Sequence, residues 1–157
     1  MLYVFKYDTF KCYITKKVII MATFISGQAD SNQSFKPFPS GNIAVRYGKI
    51  NVTAAVNAAD VYQMVQVFAG ETVHDVKVKS SDLDAATALI FDIGDGDDVD
   101  RYIDGSTVGQ AGGGDITGVA DLVPQLYAAD DTIDMLCTIA PGTDVATGTL
   151  EMWVYVS

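Results

Sequence analysis

Short segments in which apolar and polar residues alternate are the dominant pattern along this chain. The clearest of them lie at 61–68, 73–79, 132–139 and 150–156. A period of two is typical of β-strands that place one face in a core, and no segment sustains the period of about 3.6 residues that marks a helix. Only residues 81–89 would accommodate a single helical turn. The pattern therefore predicts a protein built from strands.

The spacing of these segments narrows the fold class. Turn-forming residues recur about every 8–12 positions, which is typical of sandwiches and jelly rolls. We predict an all-β protein, an antiparallel β-sandwich of jelly-roll-like type with about eight short strands. Segment 61–68 is apolar on both faces and is predicted to be a central strand. The last two strands are predicted to form a hairpin or to connect two sheets.

Three connecting segments carry further expectations. Glycine tolerates the irregular backbone conformation of a β-bulge, so Gly48 is expected to form a bulge between two apolar stretches. The glycine-rich residues 105–118 are expected to form a long loop. Residues 120–127 are expected to form a short strand that Pro124 interrupts.

The N-terminal part of the chain differs from the remainder. We expect an N-terminal extension and extended arm at 1–41, followed by a β-sandwich domain at 42–157. Residues 1–20 are basic and aromatic, and three interpretations remain open for them. They lie upstream of a true start at Met21, they form an arm that adds a strand, or they belong to a signal peptide that continues to residue 29.

Two aromatic residues stand out in the Ser-, Gly- and Pro-containing part of this arm. Phe35 and Phe38 lie between polar residues and prolines, where a packed core is not expected. An apolar ring on such a segment is a candidate anchor to a neighbouring molecule. Phe35 and Phe38 are therefore the predicted partner-binding residues.

The charge balance argues against a nucleic-acid partner, and the short apolar runs argue against a membrane partner. The chain has a formal net charge of −10, and residues 82–157 contain Arg101 as their single cation. Nucleic-acid binding requires clustered Lys and Arg, so a nucleic-acid partner is not expected. No apolar run approaches the ~20 residues that span a bilayer, so a membrane partner is not expected either.

The residue types required for catalysis are scarce. His74 is the one histidine, and the two cysteines, Cys12 and Cys137, are far apart in sequence. A hydrolase triad needs a nucleophile, a base and an orienting acid, and a zinc site needs four closely spaced ligands. Neither pattern can be written for this chain. We therefore expect no enzymatic activity.

The segment richest in candidate chemistry runs from Phe91 to Gly105. Its fifteen residues include six aspartates, three glycines and one arginine. The carboxylates of Asp95, Asp97, Asp98 and Asp100 are candidate ligands for Ca²⁺, which takes about six to eight oxygen ligands. Their spacing does not match the EF-hand loop, however.

A turn of this kind can also exist without a metal. Two carboxylates ~6 Å apart in water repel by only roughly 0.7 kcal/mol, and Arg101 would relieve part of that repulsion. Aspartate side chains in such turns commonly accept hydrogen bonds from backbone N–H groups. The sequence leaves both interpretations open: a calcium site, or a metal-free acidic turn.

Three segments resemble small structural proteins of tailed bacteriophages, particularly those of marine and cyanobacterial phages. These segments are 88–105, 126–133 and 148–156. The resemblance implies a non-enzymatic virion protein, a capsid decoration (cement) protein on the exterior of the shell. It implies the major capsid protein as partner, a homo-oligomer (dimer or trimer), and no cofactor other than the candidate Ca²⁺.

Two alternatives of other classes remain open. An acidic β-sandwich could be a carbohydrate-binding or adhesive module, Ca-dependent or not, with Tyr102, Trp153 and Tyr155 as exposed rings. A secreted or surface β-protein is the other alternative. Trp153 and Tyr155 share one face of the last strand, which is also typical of a second core face or an oligomer interface.

Overall fold

A computed structural model describes residues 22–27, 29, 42–110, 115–117, 124–143 and 147–157. These residues form ten strands in two sheets. The strands are β1 (Thr23–Ile25), β2 (Ala44–Val52), β3 (Val61–Val67), β4 (Thr72–Ser80), β5 (Ile90–Gly94), β6 (Ile103–Ser106), β7 (Asp115–Thr117), β8 (Gln125–Leu126), β9 (Asp131–Ile139) and β10 (Gly148–Val156). Within these ranges the protein has no helix that is long and apolar enough to cross a membrane.

The strand pairing is that of a jelly roll. Four antiparallel pairs are nested along the chain, namely β2 with β10, β3 with β9, β4 with β7 and β5 with β6. The first sheet has the order β1-β3-β9-β5-β6, and the second has the order β2-β10-β4-β7, with β8 also paired to β4. One long hairpin wrapped into two sheets gives this arrangement. The predicted all-β sandwich is therefore confirmed.

The core fills the space between the two sheets. Strand β3 lies between β1 and β9, so the prediction of a central strand at 61–68 is confirmed. A register shift in β3 buries both Met64 and Val65, which explains why both faces of this segment are apolar. The largest fully buried side chains come from both sheets and from the 81–89 loop, among them Tyr62, Met64, Leu83, Leu89, Phe91, Ile93, Ile133, Met135, Leu150 and Met152.

The β-bulge predicted at Gly48 is wrong. Strand β2 pairs with β10 in unbroken register, from Ala44 opposite Val156 to Val52 opposite Gly148. A Cβ atom added to Gly48 would lie 2.1 Å from the carbonyl oxygen of Met64 in the other sheet. Glycine is required here because the two backbones approach closely. Because β2 has no bulge, its side chains alternate regularly between the two faces, and those of Val45 and Tyr47 face outward.

Arg46 occupies the inward-facing position just before this close approach. Its side chain donates to the carbonyl oxygen of Gln66 at 2.6 Å and forms an ion pair with Glu71. The guanidinium also lies over the ring of Phe68, 4.6 Å from its centroid. Arg46 and Glu71 are both buried. The pair lets a charged residue take an inward position because its charge is neutralised and its donors are used.

Several connections differ from the sequence-based expectations. The expected loop at 105–118 contains the end of β6 and all of β7. Strand β6 shows no alternation because Asp104 and Gly105 are both exposed. Of the strand expected at 120–127, the structure describes residues 124–127, and β8 lies within them. The last two strands belong to different sheets, so they connect the sheets instead of forming a hairpin.

A short part of the predicted arm lies against the sandwich. Strand β1 pairs in parallel with β3, and Phe24 stacks on Tyr62 with ring centroids 4.8 Å apart. The backbone N–H of Ser26 donates to the carbonyl oxygen of Gln63 at 2.8 Å. The first sheet is therefore extended by residues 23–25. The boundary at residue 41 stays a prediction.

Candidate functional site

The acidic turn, residues 95–102, connects β5 to β6 at one end of the first sheet. Its aspartates have different environments. Asp95 is 3% exposed and lies at the base of the turn, whereas Asp97 and Asp100 are exposed and Asp98 is half-buried. The four candidate ligands therefore do not form one equivalent set.

Asp95 organises the turn through four hydrogen bonds. Its Oδ1 accepts from the backbone N–H groups of Asp97 at 3.1 Å and Asp98 at 2.9 Å. Its Oδ2 accepts from Nε of Arg101 at 2.6 Å and from the hydroxyl of Tyr127 at 2.6 Å. These bonds are the backbone N–H contacts that the sequence predicted for an acidic turn, and Arg101 supplies a compensating charge.

A second buried tyrosine extends this network. The hydroxyl oxygens of Tyr102 and Tyr127 are 2.5 Å apart. Tyr127 donates its single proton to Asp95, so Tyr102 must donate to Tyr127. Burial raises the pKa of both hydroxyls, and for Tyr127 the hydrogen bond to Asp95 raises it further. Both phenols are therefore neutral donors, and the network joins the acidic turn to the segment before β9.

Glycine lets the backbone of the turn fold back on itself. A Cβ atom on Gly94 would lie 2.0 Å from the carbonyl oxygen of Asp98. The backbone N–H of Asp95 donates to that same carbonyl oxygen at 2.9 Å. This close approach of the backbone explains why glycine is the residue just before Asp95.

A shallow pocket of about 210 Å³ lies beside the turn, and Asp95, Arg101, Gln125 and Asp131 contribute to its lining. Among the described residues, no three acidic, histidine or cysteine side chains come together in a way that would hold a metal ion. The Asp95 carboxylate already accepts four hydrogen bonds, so a cation would have to displace donors from it. Calcium binding at Asp95, Asp97, Asp98 and Asp100 stays a prediction.

Asp134 is a titratable group that the sequence did not single out. It lies on β9 in the first sheet, and its Oδ1 is buried without a hydrogen-bond partner in the described part of the chain. Burial raises the pKa of this carboxyl to about 7, and the negative charges of Asp131 and Asp95 add to the effect. No sequence pattern distinguishes it from the other aspartates of alternating strands, because its environment depends on tertiary packing.

Asp84 is a second group that the sequence analysis missed. Its carboxylate accepts from four backbone N–H groups, those of Ala86, Ala88, Leu89 and Thr143, at 2.5–3.0 Å. Burial alone would raise the pKa of Asp84, but these bonds hold it well below its usual range. Asp84 therefore fixes the connection between β4 and β5, which is a structural role.

The remaining candidate residues that the structure describes, Cys137 and His74, are not part of an assembled catalytic site. Phe35, Phe38 and Cys12 lie outside the described residues. Burial raises the pKa of Cys137 to about 12, so its thiol is not a nucleophile at neutral pH. Nε2 of His74 lies 2.7 Å from the hydroxyl of Ser157, but a triad also needs an orienting acid. The hydrogen bonds of the described residues provide His74 with no such acid.

Comparison with known proteins gives matches among solved structures only. No protein-family model matches the chain, and no curated protein matches it. A chain in the capsid asymmetric unit of cyanophage Pam1 is 24% identical, with a TM-score of 0.67, over 81% of this chain and 95% of that one. A chain in the capsid of Ralstonia phage GP4 is 19% identical, with a TM-score of 0.70, over 86% and 97%.

A third match has a lower sequence identity and a lower TM-score. A chain in the acidic stable capsid structure of Helicobacter pylori bacteriophage KHP30 is 12% identical, with a TM-score of 0.51, over 74% of this chain and 92% of that one. The protein thus has a fold that is found in the capsids of three phages. The resemblance to phage structural proteins, seen first in the sequence, is confirmed at the level of the fold.

The aromatic residues of the carbohydrate-binding alternative do not share one surface. Tyr102 is 3% exposed, and its hydroxyl is used in the Asp95 network. Trp153 and Tyr155 lie half-buried on the outer face of the second sheet, where Tyr47 lies beside Trp153 with ring centroids 5.2 Å apart. Tyr102 is therefore not available to stack on a sugar, and that alternative gains no support.

Proposed function

We propose that this protein is a non-enzymatic component of a phage virion that binds the outer surface of the capsid and stabilises it as a decoration (cement) protein. The observation that carries the proposal is the jelly-roll fold shared with chains of three phage capsids. The Pam1 and GP4 alignments cover 95% and 97% of those chains, which leaves little of either chain for any other domain. A small single jelly roll suits attachment to a shell made of other subunits.

The internal chemistry of the sandwich supports a binding role over catalysis. Asp95, Asp84 and Glu71 are buried, and each carboxylate is used in hydrogen bonds that hold loops or sheets together. A rigid scaffold of this kind suits a protein that works by occupying a surface. Many copies on one shell gain avidity without any reaction.

The partner is the major capsid protein, and Phe35 and Phe38 are the proposed anchors. Twelve residues lie between Ala29, at the end of the segment that follows β1, and Asn42, just before β2. Twelve residues in extended form span at most ~40 Å, and because both ends of this segment are attached to the sandwich, its middle can extend at most about 20 Å from it. Because β1 is part of the first sheet, point substitutions test the anchors more cleanly than a deletion of the arm.

The binding experiment uses capsids that lack this protein. The purified chain is added to such capsids, which are then sedimented, and the bound fraction is compared with that of the double variant F35A/F38A. We expect the double variant to bind at least tenfold more weakly while melting like the wild type. The matched control is S31A/S34A, which changes two polar residues of the same segment and should leave binding unchanged. Wild-type binding by F35A/F38A would contradict the anchor role.

Stabilisation of the shell is a separate expectation with its own measurement. Capsids saturated with the protein should lose their contents at a higher temperature than undecorated capsids, because a ligand that binds only the intact shell stabilises it by mass action. We further propose that the protein is bound to the capsid as a homo-oligomer, a dimer or a trimer. If the protein binds but the temperature at which the capsid is disrupted does not rise, the protein would still be a virion component, but the cement role would be rejected.

A further inference from the structure

A buried carboxylate lies beside the backbone nitrogen of Ala22, the residue just before β1. Asp60 is 1% exposed and lies immediately before β3. Its Oδ1 accepts from the backbone N–H of Ala22 at 3.1 Å, and its Oδ2 accepts from the backbone N–H of Asn57 at 2.9 Å. The side-chain amide of Asn57 is farther from Oδ2, at 3.5 Å. Asp60 thus fixes the start of β1 against the turn that precedes β3.

The charge of Asp60 has less compensation than the charges of the other buried carboxylates. Glu71 and Asp95 are each paired with an arginine. Asp84 accepts from four backbone N–H groups. Among the residues that the structure describes, no lysine or arginine forms an ion pair with Asp60. Because burial of a carboxylate is costly unless its charge is paired or well hydrogen-bonded, a positive charge beside Asp60 would stabilise the fold.

The nitrogen that contacts Asp60 belongs to the residue that follows a methionine. Met21 precedes Ala22 in the sequence. Aminopeptidases remove an initiator methionine when the next residue is small, as alanine is. Hydrolysis of the bond between Met21 and Ala22 consumes one water, releases methionine and leaves a free α-amino group on Ala22. An α-amino group has a pKa of about 7.7–8.0, so at pH 7 it is mostly an ammonium ion.

We propose that the mature chain begins at Ala22 and that its α-ammonium group forms an ion pair with the buried carboxylate of Asp60. Translation that starts at Met21, followed by removal of that methionine, produces this end. The nitrogen is already in place, because its distance of 3.1 Å from Oδ1 is below the ~4 Å that defines an ion pair. The pair supplies the charge that Asp60 lacks and holds β1 at the edge of the first sheet. This inference concerns the chain itself and goes beyond the proposed function.

Strand β1 also separates this end from the signal-peptide interpretation of the N-terminal residues. Cleavage after Ala29 would remove β1 (Thr23–Ile25) together with the upstream residues. Phe24 of this strand stacks on the buried Tyr62, so its removal would uncover part of the core. A chain that begins at Ala22 keeps all ten strands, since they lie between residues 23 and 156.

The start of the chain is tested by expression from natural DNA. The coding segment for residues 1–157 would be expressed in bacterial cells with its natural codons and the DNA upstream of it, so that starts at Met1 and Met21 compete. Intact-mass analysis and N-terminal peptide mapping should find a product that begins at Ala22. A product that contains residues 1–20, or one that retains Met21, would overturn the proposal.

The ion pair is tested by placing D60N in three forms of the protein. The forms are the chain that begins at Ala22, the same chain acetylated on the Ala22 nitrogen, and the chain 1–157. Acetylation removes the charge of the nitrogen but keeps an N–H donor. Asparagine removes the charge of Asp60 but keeps one acceptor oxygen. In urea denaturation at pH 7, D60N should lower the folding equilibrium constant about tenfold more in the free-amine form than in the other two, because hydrogen bonds to charged groups are stronger.

A control variant separates this pair from a general effect of charge. D104N changes an exposed aspartate of β6 and should cost the same small amount in all three forms. An equal loss from D60N in the three forms would overturn the ion pair, and so would failure of the chain that begins at Ala22 to fold. Either result would leave the decoration role standing, because capsid binding is measured separately.

Discussion

Replacement of Asp95 by asparagine is expected to destabilise the protein far more than the same replacement elsewhere in the acidic turn. Asparagine has the shape of aspartate and keeps one oxygen to accept from the backbone N–H groups of Asp97 and Asp98. Its amide nitrogen, however, would face Nε of Arg101 and the hydroxyl of Tyr127, both of which are donors. The variant therefore removes a charge and opposes donor to donor.

The magnitude follows from the burial of the pair. The Asp95 side chain is 2% exposed and that of Arg101 is 26% exposed. Loss of a hydrogen bond to a charged group costs about 1.5–3 kcal/mol, and removal of one partner from a fully buried ion pair costs about 3–5 kcal/mol. Because Arg101 retains some hydration, we expect a loss of about 2–3 kcal/mol in the free energy of unfolding.

Thermal and urea denaturation of D95N, D100N and the wild type measures this loss. A protein of this size loses about 2–4 °C of Tm per kcal/mol, so D95N should melt about 5–10 °C lower. D100N changes an exposed side chain and should remain within about 0.5 kcal/mol of the wild type. In the D95N background, R101Q should add little, because its partner is already lost. Equal melting of D95N and D100N would refute the assignment of Asp95 as the buried organiser of the turn.

Three further predictions test the sheet packing, the buried carboxyl and the cation hypothesis. Gly48→Ala should lower the free energy of unfolding by about 2–3 kcal/mol in urea denaturation, because its Cβ would clash with the carbonyl of Met64, whereas Gly27→Ala, with no atom near its added Cβ, should be neutral. An unchanged G48A would favour a bulge. The pKa of Asp134 is raised from 3.8 to about 7, so the folded protein binds this proton more tightly than the unfolded chain does. Stability should therefore fall as pH rises from about 4 to about 7 and stay lowered above that range. Asp134→Asn should flatten this dependence and stabilise the protein by about 2 kcal/mol at pH 8, and an unaltered pH profile would contradict the assignment. Finally, a calcium site at Asp95, Asp97, Asp98 and Asp100 would make the Tm rise with Ca²⁺ concentration relative to EDTA, and identical midpoints would reject that site.

The fold could be predicted from the sequence as far as alternation is informative. Segments 132–139 and 150–156 have one apolar face, and the structure places that face in the core except for Ile139 at the end of β9, which is exposed. In β2 the alternation is ambiguous, because Val45 and Tyr47 on one face and Ile50 and Val52 on the other are all suitable for a core. The choice depends on Arg46, whose inward position is tolerated because Glu71, distant in sequence, neutralises it. A long-range ion pair of this kind leaves no periodic signal.

The acidic turn, the segment richest in candidate chemistry, illustrates the same limit. Its aspartates and Arg101 are adjacent in sequence, so a compensated turn could be predicted. The selection of Asp95 for burial could not, because it depends on the hydroxyl of Tyr127, which approaches only after the jelly roll has closed. The same holds for Asp134, whose raised pKa is a consequence of packing around one strand position.

The capsid role is tested most directly by the composition of intact particles. Phage particles from cells in which this chain is produced would be purified by density gradient and analysed by quantitative mass spectrometry, and then treated with a protease that does not enter the shell. The account predicts this protein at a fixed ratio to the major capsid protein, with accessible cleavage sites while the shell proteins stay protected. Its absence from the particles, or its presence only within the protected interior, would contradict a decoration protein on the outer surface.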